Sequence, residues 1–310
     1  MAALRIASLL ASGTEIVCAL GLEDRLVGIS HECDYPPRVL DRPRLSRPRF
    51  DPAGRDSGAI DRAVREAMAT HGSVYEVDEA GLVRLAPTVI LTQAVCEVCA
   101  VPTPGIEAIV RERGVAAAVV SLDAHTLDDI FRTILQVGAA CGRPGRAKSV
   151  VTALRTRIEH VGRTVQGRPR PRVLALEWLD PPFVPGHWVP EMIERAGGAC
   201  VAGRAGERSV EVPWDGIERL DPDVLIVMPC GYDLPASLGD ADRFRTALVR
   251  VASRAVGAGR AYAVNGSAFF NRSGPRVADG IEILGTLLHP ESGMAASAPE
   301  SAARWTPGPV

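Results

Sequence analysis

The sequence predicts an α/β fold with parallel sheets, and three observations support this. Short runs of β-branched and leucine residues alternate with helix-like segments. One long stretch of helical periodicity, residues 125–167, interrupts the alternation, and a second strand-helix series follows it. A chain of 310 residues also exceeds the usual size of one domain. We therefore expect two Rossmann-like lobes bridged by a long α-helix, with a ligand cleft between the lobes.

The N-terminal α/β lobe is expected to span residues 1–124. A strand at 5–9 runs into Ser12, Gly13 and Thr14, where a hydroxyl can cap a helix that Gly21 ends. Further strands are predicted at 26–30, 88–92 and 115–120, with helices near 61–70 and 104–113. Alternation of this kind is typical of a parallel sheet.

Residues 125–167 form the predicted helical segment, which includes the bridging helix. Apolar residues recur there at helical spacing, and only residues 141–145 interrupt them. The C-terminal α/β lobe is expected at 168–289, with strands at 173–176, 224–228 and 261–265. Residues 84–91 and 219–226 echo one another, each time with a proline turn before a strand. The tail at 290–310 is rich in Ala, Ser, Glu and Pro, which predicts disorder.

Charge and cysteine content narrow the class of partner and the compartment. The 35 basic and 37 acidic side chains leave a formal charge of −2, which gives no reason to expect nucleic acid or an anionic membrane surface. No stretch resembles a secretory leader or a membrane span. Seven cysteines cannot all pair within the chain, so we expect a reducing, cytoplasmic location unless a leader was removed.

Candidate ligand-binding residues follow the ends of the predicted strands, where ligands bind in open parallel sheets. Large aromatic rings among them suit a flat, partly apolar ligand, although some of these rings, Trp214 above all, can instead cap a core. The candidates are His31, Glu32, Asp34, Tyr35, Gln93, Trp178, Phe183, His187, Trp188, Trp214, Phe269, Phe270 and Arg272. No nucleophile elbow, phosphate loop, Gly-x-Gly-x-x-Gly motif or Ser-His-Asp order occurs, so an enzyme is not indicated.

Several short motifs, taken in order, resemble the cobalamin (vitamin B12) binding proteins of ABC importers, which belong to the helical-backbone class of periplasmic-binding-protein-like folds. The N-terminal motifs are residues 5–9 with 13–15, 27–30 leading to 34–37, and 85–87; the C-terminal ones are 181–183 with Gly186, 212–214, and 270–272 with 275–277. The resemblance extends to about residue 288 and implies two lobes with one long helix. It implies that Phe183, Trp214, Phe270 and Arg272 line a corrin cleft, where Arg272 could bind an amide carbonyl or a phosphate. For Arg272 the alternative is a salt bridge between loops.

Two positions depart from the pattern of the importer proteins. An aromatic residue is replaced in the segment His31, Glu32, Cys33, and an acidic residue is replaced by Ala268. Family members also dock onto an ABC permease through one exposed acidic residue on each lobe. Asp215 fits that role here, but Ala80 stands at the other position. A permease partner is therefore possible and less strongly indicated than a small-molecule, metal-containing ligand.

Four cysteines are candidate metal ligands. Cys96 and Cys99 form a Cys-x-x-Cys, and Cys33 and Cys230 follow other predicted strands. Such thiolates could hold zinc or an iron-sulfur cluster, or could simply be buried thiols. A neutral imidazole of His31 or His187 could also bind a metal, or remain a hydrogen-bonded loop residue.

Three hypotheses remain at this point. The first is non-catalytic binding of cobalamin or a related corrinoid, as a carrier, buffer, sensor or transporter-associated binder. The second is a cytoplasmic metal or redox protein that uses the cysteines. The third is a binder of haem or another metal chelate, because the same architecture hosts many ligands.

Overall fold

The computed structural model describes residues 3–94 and 102–308, and these form two compact units. Unit 1 takes in the described residues up to Arg55, those from Arg62 to Ala124 and those from Asp128 to Ala153. Unit 2 takes in Asp56–Asp61, His125–Leu127 and the described residues from Leu154 onward. Two short segments from the N-terminal half of the chain thus belong to unit 2. The predicted domain boundaries did not assign these segments to the C-terminal lobe.

Unit 1 is built on a parallel sheet. In chain order, the first half of the protein contains β1 (Ile6–Ser8), α1 (Ala11–Ala19), β2 (Leu26–Ile29), β3 (Ser46–Pro48), α2 (Ser57–His71), β4 (Tyr75–Val77), α3 (Glu79–Leu85), β5 (Val89–Thr92), α4 (Thr103–Arg113), β6 (Ala118–Ser121), α5 (Leu127–Ala140) and α6 (Pro144–Val165). The order β2-β1-β5-β6 is parallel throughout, and β3 pairs with β4 in a separate antiparallel ribbon.

The central strands of unit 1 are buried on both faces, as near-continuous apolar runs in parallel sheets usually are. One side of the sheet packs into a core of Ala7, Leu9, Leu45, Leu82, Ile90 and Ile106. Helix α3 starts at an aspartate cap, because the Asp78 side chain accepts a hydrogen bond from the Gly81 N–H at 2.8 Å. The strand-helix alternation predicted from the sequence is confirmed.

The long helical segment consists of two helices. Helix α5 ends near Cys141 and α6 begins at Pro144, at the interruption seen in the sequence. The apolar residues at helical spacing, among them Ile134, Val137 and Val161, are fully buried. Helix α6 is shared by the units, because its residues up to Ala153 belong to unit 1 and those from Leu154 to unit 2. The prediction of a bridging helix is confirmed.

Unit 2 contains a larger, mostly parallel sheet and a small antiparallel one. Its elements are β7 (Arg172–Leu176), β8 (Trp178–Leu179), β9 (Pro182–Val184), α7 (Val189–Arg195), β10 (Ala199–Cys200), β11 (Val210–Glu211), α8 (Trp214–Ile217), β12 (Val224–Val227), α9 (Leu234–Arg243), α10 (Arg245–Val251), α11 (Ser253–Gly257), β13 (Ala261–Val264), α12 (Gly266–Phe269), α13 (Val277–Leu288) and β14 (Ala302–Arg304). The large sheet has the order β10-β7-β12-β13-β14, and the small one has the order β11-β9-β8.

The C-terminal segment is ordered as far as residue 308, so the prediction of a disordered tail is wrong for residues 290–308. Strand β14 pairs antiparallel with β13 and covers the edge of the sheet. Trp305 is only 3 % exposed, packs into the core of unit 2, and donates its indole N–H to Asp242 Oδ1 at 2.7 Å. Composition alone did not predict this order, because it depends on the pairing of the three residues of β14 with β13 and on the burial of the Trp305 ring.

Among the described residues, no helix has the combination of length and apolar character that crossing a bilayer requires.

Candidate functional site

Three aromatic side chains lie where β7 and β12 of unit 2 end. The rings of Trp178 and Tyr232 meet edge to face, with centroids 5.3 Å apart and an interplanar angle of 63°. Phe183 lies directly opposite Trp178 across the β8–β9 pair, so their side chains share one face of this hairpin. The indole N–H of Trp178 donates to the Asp180 carbonyl oxygen at 3.0 Å, which fixes the ring. We call Trp178, Phe183 and Tyr232 the aromatic edge.

Sequence reasoning named Trp178 and Phe183 but missed Tyr232. The signal was available, because Tyr232 follows strand β12 in the same loop as Cys230, which was named. Cys230 is half-buried, and its backbone N–H donates to the Glu177 carbonyl oxygen at 2.9 Å. This bond ties the loop after β12 to the end of β7.

A buried carboxyl group lies beside the aromatic edge. Asp240 on α9 is 5 % exposed, and its Oδ1 accepts a hydrogen bond from the Ser57 hydroxyl at 3.2 Å. Burial raises the pKa of Asp240 to about 6, opposed by the Ser57 bond and by Arg243 and reinforced by Asp56 and Asp180. Burial, with a contribution from Asp240, also raises the pKa of Tyr232 to about 12. The Tyr232 phenol is therefore neutral at physiological pH.

His187 lies in a tightly clamped loop between β9 and α7. Its φ of +50° is unusual for a residue with a side chain. Two backbone hydrogen bonds hold this residue: its N–H donates to the Glu207 carbonyl oxygen at 2.6 Å, and its carbonyl oxygen accepts from the Gly206 N–H at 2.9 Å. Burial first, then His125 and Arg208, lower the pKa of His187. Its ring stacks on that of His125 with centroids 5.7 Å apart, and its Nε2 is buried with no hydrogen-bond partner in the part of the chain that the structure describes.

Glycine is required next to His187. A Cβ on Gly186 would come within 2.4 Å of the backbone of residues 207–209. The following residue, Trp188, donates its indole N–H to the Phe270 carbonyl oxygen at 2.8 Å, so it is anchored to the loop after β13. His187 and Trp188 are both half-buried.

The loop after β13 differs from expectation. Phe270 has no exposed surface, and Phe269 is only 7 % exposed. Both rings are interior residues that hold the loop in place. Arg272 is 9 % exposed and donates to Ser267 Oγ at 3.1 Å, while the Arg276 guanidinium stacks over the Phe269 ring at 5.3 Å.

Trp214 packs against the core of unit 2 and stacks on Phe244 with centroids 6.4 Å apart. Trp214 therefore caps the core of unit 2, which was the alternative to ligand binding for this residue. The indole also borders an open groove of about 570 Å³ lined by Pro181, Pro182, Glu211, Val212, Pro213, Asp215 and Arg250. Asp215 on its rim is 83 % exposed and pairs with Arg250 at 3.0 Å.

In unit 1, the candidates after β2 form a polar loop. His31 Nδ1 lies 2.8 Å from Ser46 Oγ, and its Nε2 lies 3.1 Å from Glu32 Oε1. Cys33 is 2 % exposed, with its Sγ 3.1 Å from Thr14 Oγ1. Asp34 and Tyr35 are exposed, and Tyr35 precedes a cis proline. The loop thus presents Asp34 and Tyr35 to solvent and keeps Cys33 inside.

Gln93 directly follows β5 and is 9 % exposed. Beyond it, Ala94 donates its N–H to Asp123 Oδ1 at 2.6 Å, which joins the ends of β5 and β6. Cys96 and Cys99 lie outside the described residues. Within the described residues, no group of three metal-ligating side chains comes together, so a zinc or iron-sulfur site is not seen in that part of the chain.

Comparison with known proteins identifies the fold. A periplasmic haem-binding protein from Pseudomonas aeruginosa superposes with a TM-score of 0.72 at 19 % identity, covering 98 % of this chain and 99 % of that one. The periplasmic vitamin B12 binding protein BtuF of Vibrio cholerae gives 0.67 at 20 % identity, covering 94 % and 98 %. The periplasmic haem-binding protein RhuT from Roseiflexus sp. RS-1 gives 0.68 at 22 % identity, covering 94 % and 100 %. No curated protein matches the chain.

These three relatives are described as periplasmic, so the cytoplasmic location expected from the cysteine count finds no support among them. At these identities the likeness establishes the fold, with its two lobes. The family follows from the sequence itself: a family model described as "Periplasmic binding protein" matches residues 6–246, most of the chain, and the protein therefore belongs to the periplasmic binding protein family.

Proposed function

We propose that this protein binds cobalamin or a related corrinoid, without catalysis, at the sheet ends that carry the aromatic edge. The observation that carries the proposal is the grouping of Trp178, Phe183 and Tyr232 where β7 and β12 end. Ligands of open parallel sheets bind beyond the carboxyl ends of strands, and rigid rings there offer large apolar area at small entropic cost. A corrin ring is a broad, flat ligand of the matching kind.

Haem or another metal chelate is the second candidate ligand. Of the three structures compared above, two are described as haem-binding proteins and one as a vitamin B12 binding protein. Arg272 and Arg276 follow β13 in unit 2 and supply guanidinium groups of the type that bind carboxylates or phosphates. These guanidinium groups could bind the two propionates of haem, and haem is therefore the second candidate beside a corrinoid.

The proposed physiological setting is a substrate-binding component of an ABC importer. One structure with the same fold, from Listeria monocytogenes EGD-e, is described as an ABC transporter substrate-binding protein. Asp215, exposed on the rim of the groove, is the proposed permease contact of unit 2. A periplasmic or other extracytoplasmic location goes with this role.

Titration decides between the ligands. Cyanocobalamin, dicyanocobinamide and haemin would each be titrated into the protein, followed by absorbance and calorimetry. We expect corrinoid binding that Trp178→Ala weakens roughly tenfold or more, because stacked aromatic contacts contribute on the order of 1–2 kcal/mol. Trp214→Phe is the matched control, since that ring packs on the core, and it should leave the affinity unchanged. Absence of corrinoid binding at high micromolar concentration would overturn the proposal.

A further inference from the structure

One buried carboxyl group of unit 2 is half-satisfied and has no structural role described so far. Asp240 Oδ1 has the Ser57 hydroxyl as its donor, but Oδ2 is buried and has no hydrogen-bond partner among the described residues. Ser237, one turn earlier on α9, has no exposed surface, and its hydroxyl finds no hydrogen-bond partner in residues 3–94 and 102–308. Buried polar atoms are nearly always hydrogen-bonded, so these two oxygens call for a further polar group.

Asp240 belongs to a locally acidic set. Asp56 and Asp180 each act electrostatically on Asp240, and we call these three residues the acidic group. The nearby cation is Arg243, which is held by Asp56 at 2.8 Å. Asp240 is ionised at neutral pH because its pKa is about 6. Three carboxylates against one guanidinium leave an excess of negative charge, which acts most strongly at Asp240 because that side chain is buried, whereas Asp56 is partly exposed to solvent and Asp180 is exposed.

The acidic group adjoins the aromatic edge. Asp180 follows Trp178 by two residues and accepts its indole N–H through the backbone carbonyl. Asp240 raises the pKa of Tyr232, so the two side chains are close enough to interact. Helix α9, which carries Asp240, begins just after β12 and therefore lies at the same end of the sheet. A ligand stacked on Trp178 and Tyr232 would place its peripheral groups within the field of these carboxylates.

The two classes of candidate ligand differ in their peripheral groups. The periphery of a corrinoid carries uncharged amides, which offer N–H donors. Haem carries two propionates, which are anionic at neutral pH and offer only acceptors. An acidic set with an unpartnered acceptor oxygen attracts N–H donors and repels carboxylates.

We propose that Asp180 and Asp240 make this protein select amide-bearing corrinoids against carboxylate-bearing haem. The inference rests on the proposed function and deepens it by assigning the ligand class to particular residues. Arg272 and Arg276 follow a different strand, β13, and act in the opposite sense. At the aromatic edge the acidic group sets the preference, because Asp180 lies in the β8–β9 hairpin that carries Trp178 and Phe183.

The test compares the dissociation constants of dicyanocobinamide and haemin at pH 7.5 and pH 5.5. The wild-type protein should prefer dicyanocobinamide by roughly tenfold or more at pH 7.5, which corresponds to about one charge-charge repulsion in a partly buried site. Asp240→Asn keeps the shape and the Ser57 bond but removes the charge, so it should strengthen haemin binding and narrow the preference. Asp221→Asn removes a charge from an exposed ion pair of the same unit, with Arg254, before the start of β12 and serves as the control.

Protonation should mimic the variant. Lowering the pH from 7.5 to 5.5 should narrow the preference of the wild-type protein, and Asp240→Asn should remove most of that pH dependence. If dicyanocobinamide binds but Asp240→Asn and Asp180→Asn leave the preference as it is, the selectivity inference is wrong and the corrinoid proposal stands. If the wild-type protein prefers haemin at pH 7.5, the inference is wrong as well. If no corrinoid binds, the proposed function fails and the inference fails with it.

Discussion

Replacing Asp240 by asparagine should stabilise the protein at neutral pH. In the folded state burial raises the pKa of Asp240 from 3.8 to about 6, so the folded protein holds this proton more tightly than the unfolded chain does. The corresponding stability is fully present below pH 4 and is lost as the pH rises from about 4 through about 6. Above that range the folded state bears the full cost of a buried charge.

The size of the effect follows from the pKa difference. A difference of about two pKa units corresponds to about 3 kcal/mol, and solvent screening reduces the expected gain to between about 1 and 3 kcal/mol. Asparagine has nearly the same shape, and its side-chain oxygen can still accept the Ser57 hydroxyl. Asp240→Asn should therefore raise the free energy of unfolding at pH 7.5 by this amount.

Urea denaturation at pH values from 4 to 8, followed by circular dichroism, measures the effect. The curves of wild type and variant should converge near pH 4 and separate as the pH rises. Asp215→Asn, which alters an exposed ion pair, should change stability by less than about 1 kcal/mol at every pH. The reasoning is refuted if Asp240→Asn destabilises the protein at pH 7.5, or if the two curves stay parallel across the whole range.

Three further predictions concern the ordered tail and the clamped loop. Trp305→Ala should cost about 3–5 kcal/mol of unfolding free energy, because the ring is 97 % buried in the core; a loss below 1 kcal/mol in urea denaturation would contradict this. Gly186→Ala should lower the melting temperature, since its Cβ would meet backbone at 2.4 Å, whereas Gly239→Ala on α9 meets nothing within 4 Å and should be neutral or stabilising by up to about 1 kcal/mol. The pKa of His187, measured by proton NMR, should lie below 6.5, and a pKa above 6.5 would contradict the effect of burial. The neutral imidazole contributes to the free energy of unfolding above pH 6.5, and this contribution should be lost as the pH falls through the lowered pKa.

The strand-helix alternation could be predicted because it depends on local periodicity. The ends of β2, β5, β7, β12 and β13 place the loops, so residues such as Trp178 and Cys230 could be assigned to strand ends from sequence alone. The local sequence pattern does not predict which side chains of a loop are buried. Phe270 was therefore expected at a ligand surface, and its ring is fully buried instead.

Long-range contacts account for the other omissions. Asp240 is an ordinary helical aspartate in sequence, and its hydrogen-bond donor Ser57 is 183 positions away. His125 and His187 are likewise brought together only by the tertiary fold. The tail was expected to be disordered from its composition, yet the Trp305 indole pairs with Asp242, 63 positions earlier. None of these pairs leaves a periodic signal in the sequence.

Unit 2 is formed by three separate segments of the chain, and this limits which fragments of the protein can be expressed on their own. A fragment that starts at Leu154 would lack Asp56–Asp61 and His125–Leu127, which unit 2 contains. Asp240 would lose its hydroxyl donor Ser57, and the Glu191 carboxylate would lose the Leu127 N–H that it accepts at 3.0 Å. His187 would lose the imidazole on which it stacks. The two halves are therefore not interchangeable modules, and domain swaps between relatives should exchange these two short segments together with the C-terminal half.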